Sequence, residues 1–128
     1  MAERYSFPKS ERIFLQKEID ALFSEGSSFS SYPLRVIYVE KQPASGSRAA
    51  VLISVPKKKI RKAVGRNRIK RLIRETYRLG KPSLLHSLED KNKSLLIAFI
   101  YVGDGLTDYP TMEAAMAKAL KTLTGKLQ

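Results

Sequence analysis

The segment at residues 94–102, SLLIAFIYV, constrains the fold more than any other part of the chain. It is almost continuously apolar, and Gly103 follows it directly. A run of this length without regular polar positions is typical of a strand that is buried on both faces of a sheet. We therefore predict a central β-strand here, in a sheet that carries helices.

Two more strands are predicted earlier in the chain. Residues 34–40 alternate, so that one side would carry Leu34, Val36 and Tyr38 and the other Arg35, Ile37 and Val39. Residues 49–55 form a second apolar run, and the sequence QPASGSR at residues 42–48 has the composition of a turn. The simplest interpretation is an antiparallel hairpin made of these two strands.

Two helices are predicted from apolar residues that recur three and four positions apart. The first covers residues 15–25 and ends before Gly26; its apolar residues are Leu15, Ile19, Leu22 and Phe23. The second covers residues 63–79. Gly80 and Pro82 follow it, and both residue types commonly end helices.

A third helix is predicted after Asp108, a residue type that caps helix N-termini, with Pro110 tolerated in its first turn. Residues 1–9 are predicted to be an irregular arm, residues 26–31 a Ser-rich turn and residues 81–93 a polar connection. The order of elements favours an α+β fold, a single-domain two-layer α/β sandwich of one sheet with helices packed on it.

The size and composition of the chain fit this fold. Its 128 residues, 43% of them hydrophobic, suit one domain that covers residues 1–128. There is no cysteine, no apolar segment typical of a secretory signal and no apolar run near the roughly 20 residues that span a bilayer. We expect a soluble protein of the cytoplasm that does not bind membranes.

Positive charge is concentrated in one segment, residues 56–78. This segment holds eleven of the 24 Lys and Arg residues and a single acid, Glu75, so it carries +10 of the net charge of +12. Such a local excess on an otherwise balanced domain is typical of a surface that binds a polyanion, because neutralised phosphates release counterions. Nucleic acid is therefore the first partner to consider.

The predicted second helix separates its apolar and basic residues onto different faces. At 100° per residue, one arc contains Ile69, Leu72, Ile73, Thr76 and Tyr77, and the adjoining polar sector contains Arg66, Asn67, Lys70, Arg71, Arg74 and Arg78. Like charges four residues apart destabilise a free helix by a few tenths of a kcal/mol per pair. A merely solvated face usually mixes both signs, so the pattern favours a phosphate-binding surface.

Residues 65–75, GRNRIKRLIRE, resemble the RNR signature of the bacterial ribonuclease P protein subunit. A strand that ends at Ser54 and Val55 and a lysine cluster precede them, as in that family, and SERI at residues 10–13 is similar to its N-terminal stretch. The resemblance implies a ribosomal protein S5 domain 2-like fold. It also implies a left-handed βαβ crossover, although such crossovers are right-handed in about 98% of cases.

The same resemblance implies a protein subunit that binds a catalytic RNA and helps it to remove the 5′ leader from precursor tRNA. The RNA and the Mg²⁺ that it mainly holds would perform the hydrolysis, without an organic cofactor or an obligate protein partner. The implied residues that bind the RNA subunit are Lys57, Lys58, Lys59, Arg61, Lys62, Arg66, Asn67, Arg68, Lys70, Arg71 and Arg74. A cleft between the first helix and the sheet would hold the leader on Ile19, Phe23 and Tyr38.

No catalytic or metal-binding residues of the chain's own are predicted. The single histidine, His86, is expected on the surface of a polar loop, and two acidic pairs are expected in loops: Glu89 with Asp90, and Asp104 with Asp108. Two alternatives to a ribonuclease P subunit are a structural RNA-binding module, such as a ribosomal protein, and a protein that binds anionic membranes. The membrane alternative requires exposed apolar residues opposite the basic face, and those residues are expected in the core.

Overall fold

A computed structural model describes residues 11–13 and 15–127. The arm predicted at residues 1–9 lies outside the described residues. Three helices and four strands follow one another in the order α1 (Gln16–Glu25), β1 (Ser27–Ser31), β2 (Leu34–Val39), β3 (Ala49–Ser54), α2 (Ala63–Lys91), β4 (Leu95–Tyr101) and α3 (Tyr109–Lys126).

The four strands form one mixed sheet in the order β1-β2-β4-β3. The prediction of a central strand is confirmed, because β4 lies between β2 and β3 and six of its seven residues are buried. It pairs antiparallel with β2 and parallel with β3. The predicted hairpin of β2 and β3 is therefore wrong: β4 is apolar on both sides and takes the position between them.

Helix α2 connects β3 to β4, two parallel strands that are direct neighbours, so these elements form a βαβ crossover. Its left-handedness stays a prediction from the family resemblance.

Strand β1 was not expected, since the sequence SSFSS has the composition of a turn. It pairs with β2 over its full length, from Ser27 with Tyr38 to Ser31 with Leu34. Ser31 is buried, and its hydroxyl donates a 2.7 Å hydrogen bond to the carbonyl oxygen of Ala115 in α3. Backbone pairing and this long-range hydrogen bond outweigh the weak β-propensity of serine.

The sheet has one fully covered face and one partly covered face. Helices α2 and α3 pack on the first face, over a core that contains Val36, Val51 and Phe99. Helix α1 packs on the opposite face, over a smaller cluster that includes Leu22, Ile37 and Ala98. One sheet with helices packed on it, the predicted α+β class, is confirmed.

Helix α2 is longer than predicted and passes through both residues that were expected to end it. A Cβ atom on Gly80 would lie 2.7 Å from Leu120 Cδ1, so the absence of a side chain here leaves room for Leu120 of α3. Pro82 lies inside the helix, where it removes one backbone hydrogen bond. The next two turns bury Leu84 and Leu88 completely, and this burial offsets the local cost of the proline.

The predicted starts of the other helices agree with the structure. The Asp108 side chain accepts a 3.0 Å hydrogen bond from the backbone N–H of Thr111, and Pro110 lies in the first turn of α3. The Thr111 side chain and, to a lesser extent, this backbone hydrogen bond lower the pKa of Asp108 below its ordinary value. Helix α1 begins one residue later than predicted and ends before Gly26.

Candidate nucleic-acid interface

The first four turns of α2 separate the core from the basic surface, as the sequence predicts. Ile69, Ile73 and Tyr77 are completely inaccessible to solvent and pack against the sheet. Thr76 is also buried, and its hydroxyl donates to the Leu72 carbonyl oxygen at 2.8 Å. One face of the helix is therefore fixed by the core, which leaves the basic residues on the remaining surface.

Most of the predicted RNA-binding side chains lie on that surface. Asn67, Arg68, Arg71 and Arg74 are exposed on α2, and Lys70 is half-buried between them. The segment at residues 57–62 leads into the helix and exposes Lys57, Lys58, Arg61 and Lys62. Within residues 11–13 and 15–127, the basic side chains named here form no ion pair and no hydrogen bond. Their positive charge is not compensated by any acidic side chain of the described residues.

Two of the predicted RNA-binding residues already have partners within the protein. The Arg66 guanidinium donates to the carbonyl oxygens of Ile60, at 3.0 Å, and Arg61, at 2.6 Å. Lys59 Nζ lies 3.3 Å from an Asp104 carboxylate oxygen. Arg66 thus holds the lead-in segment against the start of α2, and it orders the interface in addition to contributing charge.

The N-terminus of α2 strengthens the positive potential of this region. Lys62 is the N-cap residue and forms no side-chain capping hydrogen bond, and the first turn contains no acid. Free backbone N–H groups and the helix dipole both favour an anion at such an end. This end of the helix therefore adds to the attraction that the surrounding Lys and Arg residues exert on phosphates.

The basic surface ends at Arg78, two residues before Gly80. The guanidinium of Arg78 donates to both carboxylate oxygens of Glu75, at 3.2 and 2.5 Å. These hydrogen bonds lower the pKa of Glu75 below its ordinary value of 4.5. Arg78 is compensated locally, unlike the arginines that precede it.

The residues predicted to hold the leader do not share one surface. Ile19 is half-buried and Phe23 is 57% exposed, both on α1. Tyr38 lies on the opposite face of the sheet, beside the core under α2 and α3, with its ring 6.0 Å from that of Phe29. The prediction that Tyr38 faces the α1 cleft is wrong, because Tyr38 has the same strand parity as Leu34 and Val36.

Other residues occupy the sheet face beside α1. Three half-buried apolar side chains pack there, against the same core cluster as Ile19: Val39, Leu52 and Ile100. The sequence analysis did not select them. The alternation of side chains in β2 predicts that Val39 and Tyr38 lie on opposite faces of the sheet. Only the position of α1 in the fold shows that Val39 is on the face beside this helix.

The structure places the histidine and the first of the two acidic pairs on α2. His86 is exposed, with Nε2 3.6 Å from Asp90 Oδ2, but it lies on α2 and not in the predicted loop. Glu89 and Asp90 also lie on this helix, because α2 continues to Lys91. In residues 11–13 and 15–127, no three His, Cys, Asp or Glu side chains are grouped so that they could hold a metal ion.

None of the helices in residues 15–127 combines the length and the apolar character that crossing a bilayer requires.

Comparisons with known proteins agree with the architecture and with the basic helix. The Ribonuclease P family model matches residues 7–124. The ribonuclease P protein component of Porphyromonas gingivalis is 43% identical over 123 residues, which cover 96% of this chain and 90% of the relative. That of Dictyoglomus thermophilum is 36% identical over 104 residues, 81% of this chain and 78% of the relative.

A solved structure supports the fold independently of close sequence similarity. The RNase P protein of Staphylococcus aureus superposes with a TM-score of 0.70 at 24% identity, over 89% of this chain and 95% of that protein. The match of the family model over residues 7–124 and the 43% identity to the Porphyromonas gingivalis protein show that this chain belongs to the ribonuclease P protein family.

Proposed function

We propose that this chain binds the RNA subunit of ribonuclease P through the first four turns of α2 and the lead-in segment at residues 57–62. The observation that carries the proposal is the uncompensated positive charge of this surface, which the core holds in one orientation. Arginine suits such a site, because its planar guanidinium can bind a phosphate with two hydrogen bonds and stack on bases. Arg68, Arg71 and Arg74 are the proposed direct contacts.

The 5′ leader of precursor tRNA is the second proposed partner. A single strand exposes its bases, and apolar or aromatic side chains can contact them with little dependence on sequence. We assign this role to the sheet face beside α1, where Ile19, Val39, Leu52 and Ile100 are half-buried, and to Phe23 at its margin. Tyr38 is excluded from this surface by its place on the other face.

In this proposal the RNA subunit and its Mg²⁺ ions cleave the phosphodiester bond that releases the leader. The protein contributes affinity for the substrate and charge neutralisation, which lowers the Mg²⁺ concentration that the RNA requires. The cytoplasm, where precursor tRNA is processed, is the proposed location.

The decisive experiment measures cleavage of a precursor tRNA by a bacterial ribonuclease P RNA at low, near-physiological Mg²⁺. Reactions contain the RNA alone, the protein alone or both. We expect cleavage at the mature 5′ end only when both are present. Cleavage by the protein alone would show that the chain has its own active site, and the absence of stimulation would contradict the subunit role.

A series of precursors with increasing leader length separates this function from that of a structural RNA-binding module. Affinity of the complex should grow as single-stranded nucleotides are added upstream of the cleavage site, because each can occupy more of the α1 face. A module that binds folded RNA only would give the same affinity for all lengths.

A further inference from the structure

The N-terminal residues of the described chain form a short extension of the sheet. Arg12 makes a parallel bridge with Val51 of β3, the edge strand, and the Ile13 N–H donates to the Val51 carbonyl oxygen at 3.1 Å. The Ile13 side chain is only 6% exposed and belongs to the core cluster under α1. The backbone of this segment is therefore fixed beside β3.

A buried ion pair fixes the same segment from the other side. The Glu11 carboxylate lies 2.6 Å from Lys81 Nζ, and the Lys81 side chain is completely buried in the second part of α2. A buried ion pair needs its two groups to be held in good hydrogen-bonding geometry. It can then favour one conformation of the chain over others. Glu11 and Ile13 are thus both anchored, and Arg12, the residue between them, is exposed.

Arg12 forms one wall of a groove of about 210 Å³ that α2 closes on the other side. Lys70 and Arg74 supply the cations of α2, and the remaining lining residues are Ile13, Val51, Leu52 and Ile53. None of the described residues that line the groove is acidic. Three basic side chains from two separate elements therefore line one groove together with apolar residues.

This combination corresponds to the chemistry of one nucleotide. The groove is smaller than the roughly 300–1,000 Å³ of a pocket for a drug-sized ligand. Its cations can hold a phosphate, while Leu52 and Ile53 can contact a ribose or a base. We propose that Arg12, Lys70 and Arg74 bind one backbone phosphate of single-stranded RNA in this groove, and that the Glu11–Lys81 pair positions Arg12. The inference deepens the proposed function, from which it takes RNA as the polyanion.

The first test uses binding of a single-stranded oligouridylate, measured by fluorescence anisotropy at several salt concentrations. Loss of one phosphate contact reduces the slope of log affinity against log salt by about 0.7 for a single strand. We expect this change for Arg12→Gln and no change for Lys118→Gln, a matched loss of one charge on the exposed surface of α3. An unchanged slope for Arg12→Gln, or no binding by the wild type, would overturn the inference.

This measurement requires no ribonuclease P activity, so it can succeed even if the cleavage experiment fails. Two further affinities of the Arg12→Gln variant identify the source of the phosphate. One is the affinity for the ribonuclease P RNA, and the other is the affinity of the complete complex for precursor tRNA compared with mature tRNA. A loss confined to the ribonuclease P RNA assigns the groove to the RNA subunit, whereas a loss for precursor but not mature tRNA assigns it to the leader. A variant that changes neither affinity overturns the role in the complex.

The positioning role of the ion pair requires a variant that leaves no buried charge without a partner. The double substitution Glu11→Gln with Lys81→Met meets this condition. We expect a folded protein by circular dichroism whose salt slope is reduced to that of Arg12→Gln, with no further loss when all three changes are combined. Independent, additive losses would show that the pair does not act through Arg12.

Discussion

The two parts of α2 use the same helix for different purposes. Residues 63–78 contain six bases and one acid, whereas residues 79–91 contain two bases and two acids. The first part exposes its cations, and the second part buries Lys81, Leu84 and Leu88 and packs against α3. The first part is thus an interface held by a core, and the second part belongs mainly to the core.

A comparison of Lys70 with Lys81 shows why the two parts of α2 differ in function. Lys70 is half-buried at the rim of a groove that contains two other cations, and Lys81 is fully buried beside the Glu11 carboxylate. They have the same chemistry and lie three turns apart on one helix. The electrostatic cost of Lys81 is offset within the protein, whereas the charge of Lys70 remains available for a ligand.

The largest expected effect tests whether the buried face of residues 79–91 stabilises the fold. Leu84→Ala should reduce the free energy of unfolding by about 3–4 kcal/mol, because it removes a fully buried side chain and leaves a cavity. Leu79→Ala is the control, since Leu79 is 45% exposed, and should cost much less. Urea unfolding measures both, and similar losses for the two variants would contradict the assignment.

A somewhat smaller loss is expected for Lys81→Ala. It leaves the Glu11 carboxylate without its main partner, and we expect a loss of about 2–3 kcal/mol, below the roughly 3–5 kcal/mol of fully buried pairs because Glu11 retains some exposure. Lys70→Ala should change the stability by less than about 0.5 kcal/mol. Equal effects of the two substitutions on the urea midpoint would contradict the claim that Lys81 stabilises the fold and Lys70 does not.

The first part of α2 should respond through RNA binding and not through stability. Arg68→Ala combined with Arg71→Ala removes two exposed cations, so the salt slope of binding to ribonuclease P RNA should fall by about 1.4–1.8. The urea midpoint should stay the same or rise slightly, because like charges are removed. Retention of the full salt slope would exclude these arginines from the interface.

The smallest effect concerns Glu75, where the basic surface ends. Because Arg78 lowers the pKa of Glu75, the pair stabilises the fold above the ordinary carboxyl pKa of 4.5 and loses this contribution as the pH falls through the folded-state pKa. Both groups are substantially exposed, so Glu75→Gln should lower the stability only slightly at pH 7. Thermal unfolding should show this small difference at pH 7, and the difference should shrink as the pH is lowered below 4.5; a difference that does not change with pH would contradict the cause.

Patterns within one segment predicted much of this structure. The spacing of Ile69 and Ile73 indicated which face of α2 is buried, and Asp108 marked the start of α3. Gly80 and Pro82 gave a misleading signal, because both usually end helices, but here Gly80 lies beside Leu120 of α3 and the helix continues through Pro82. The groove beside Arg12 has no local signature, since residues 12, 51 and 70 meet only in the folded chain.

Local patterns of residues were enough to predict the concentration of charge in residues 56–78, the burial of β4 on both faces, and the family that carries the RNR signature. These properties depend on residues that are close together in the chain. Three other features required the folded structure: β4 separates β2 from β3, Tyr38 lies away from α1, and Glu11 pairs with Lys81. Such contacts join distant residues, and their combined burial and hydrogen bonding outweigh the local preferences that a sequence pattern reports.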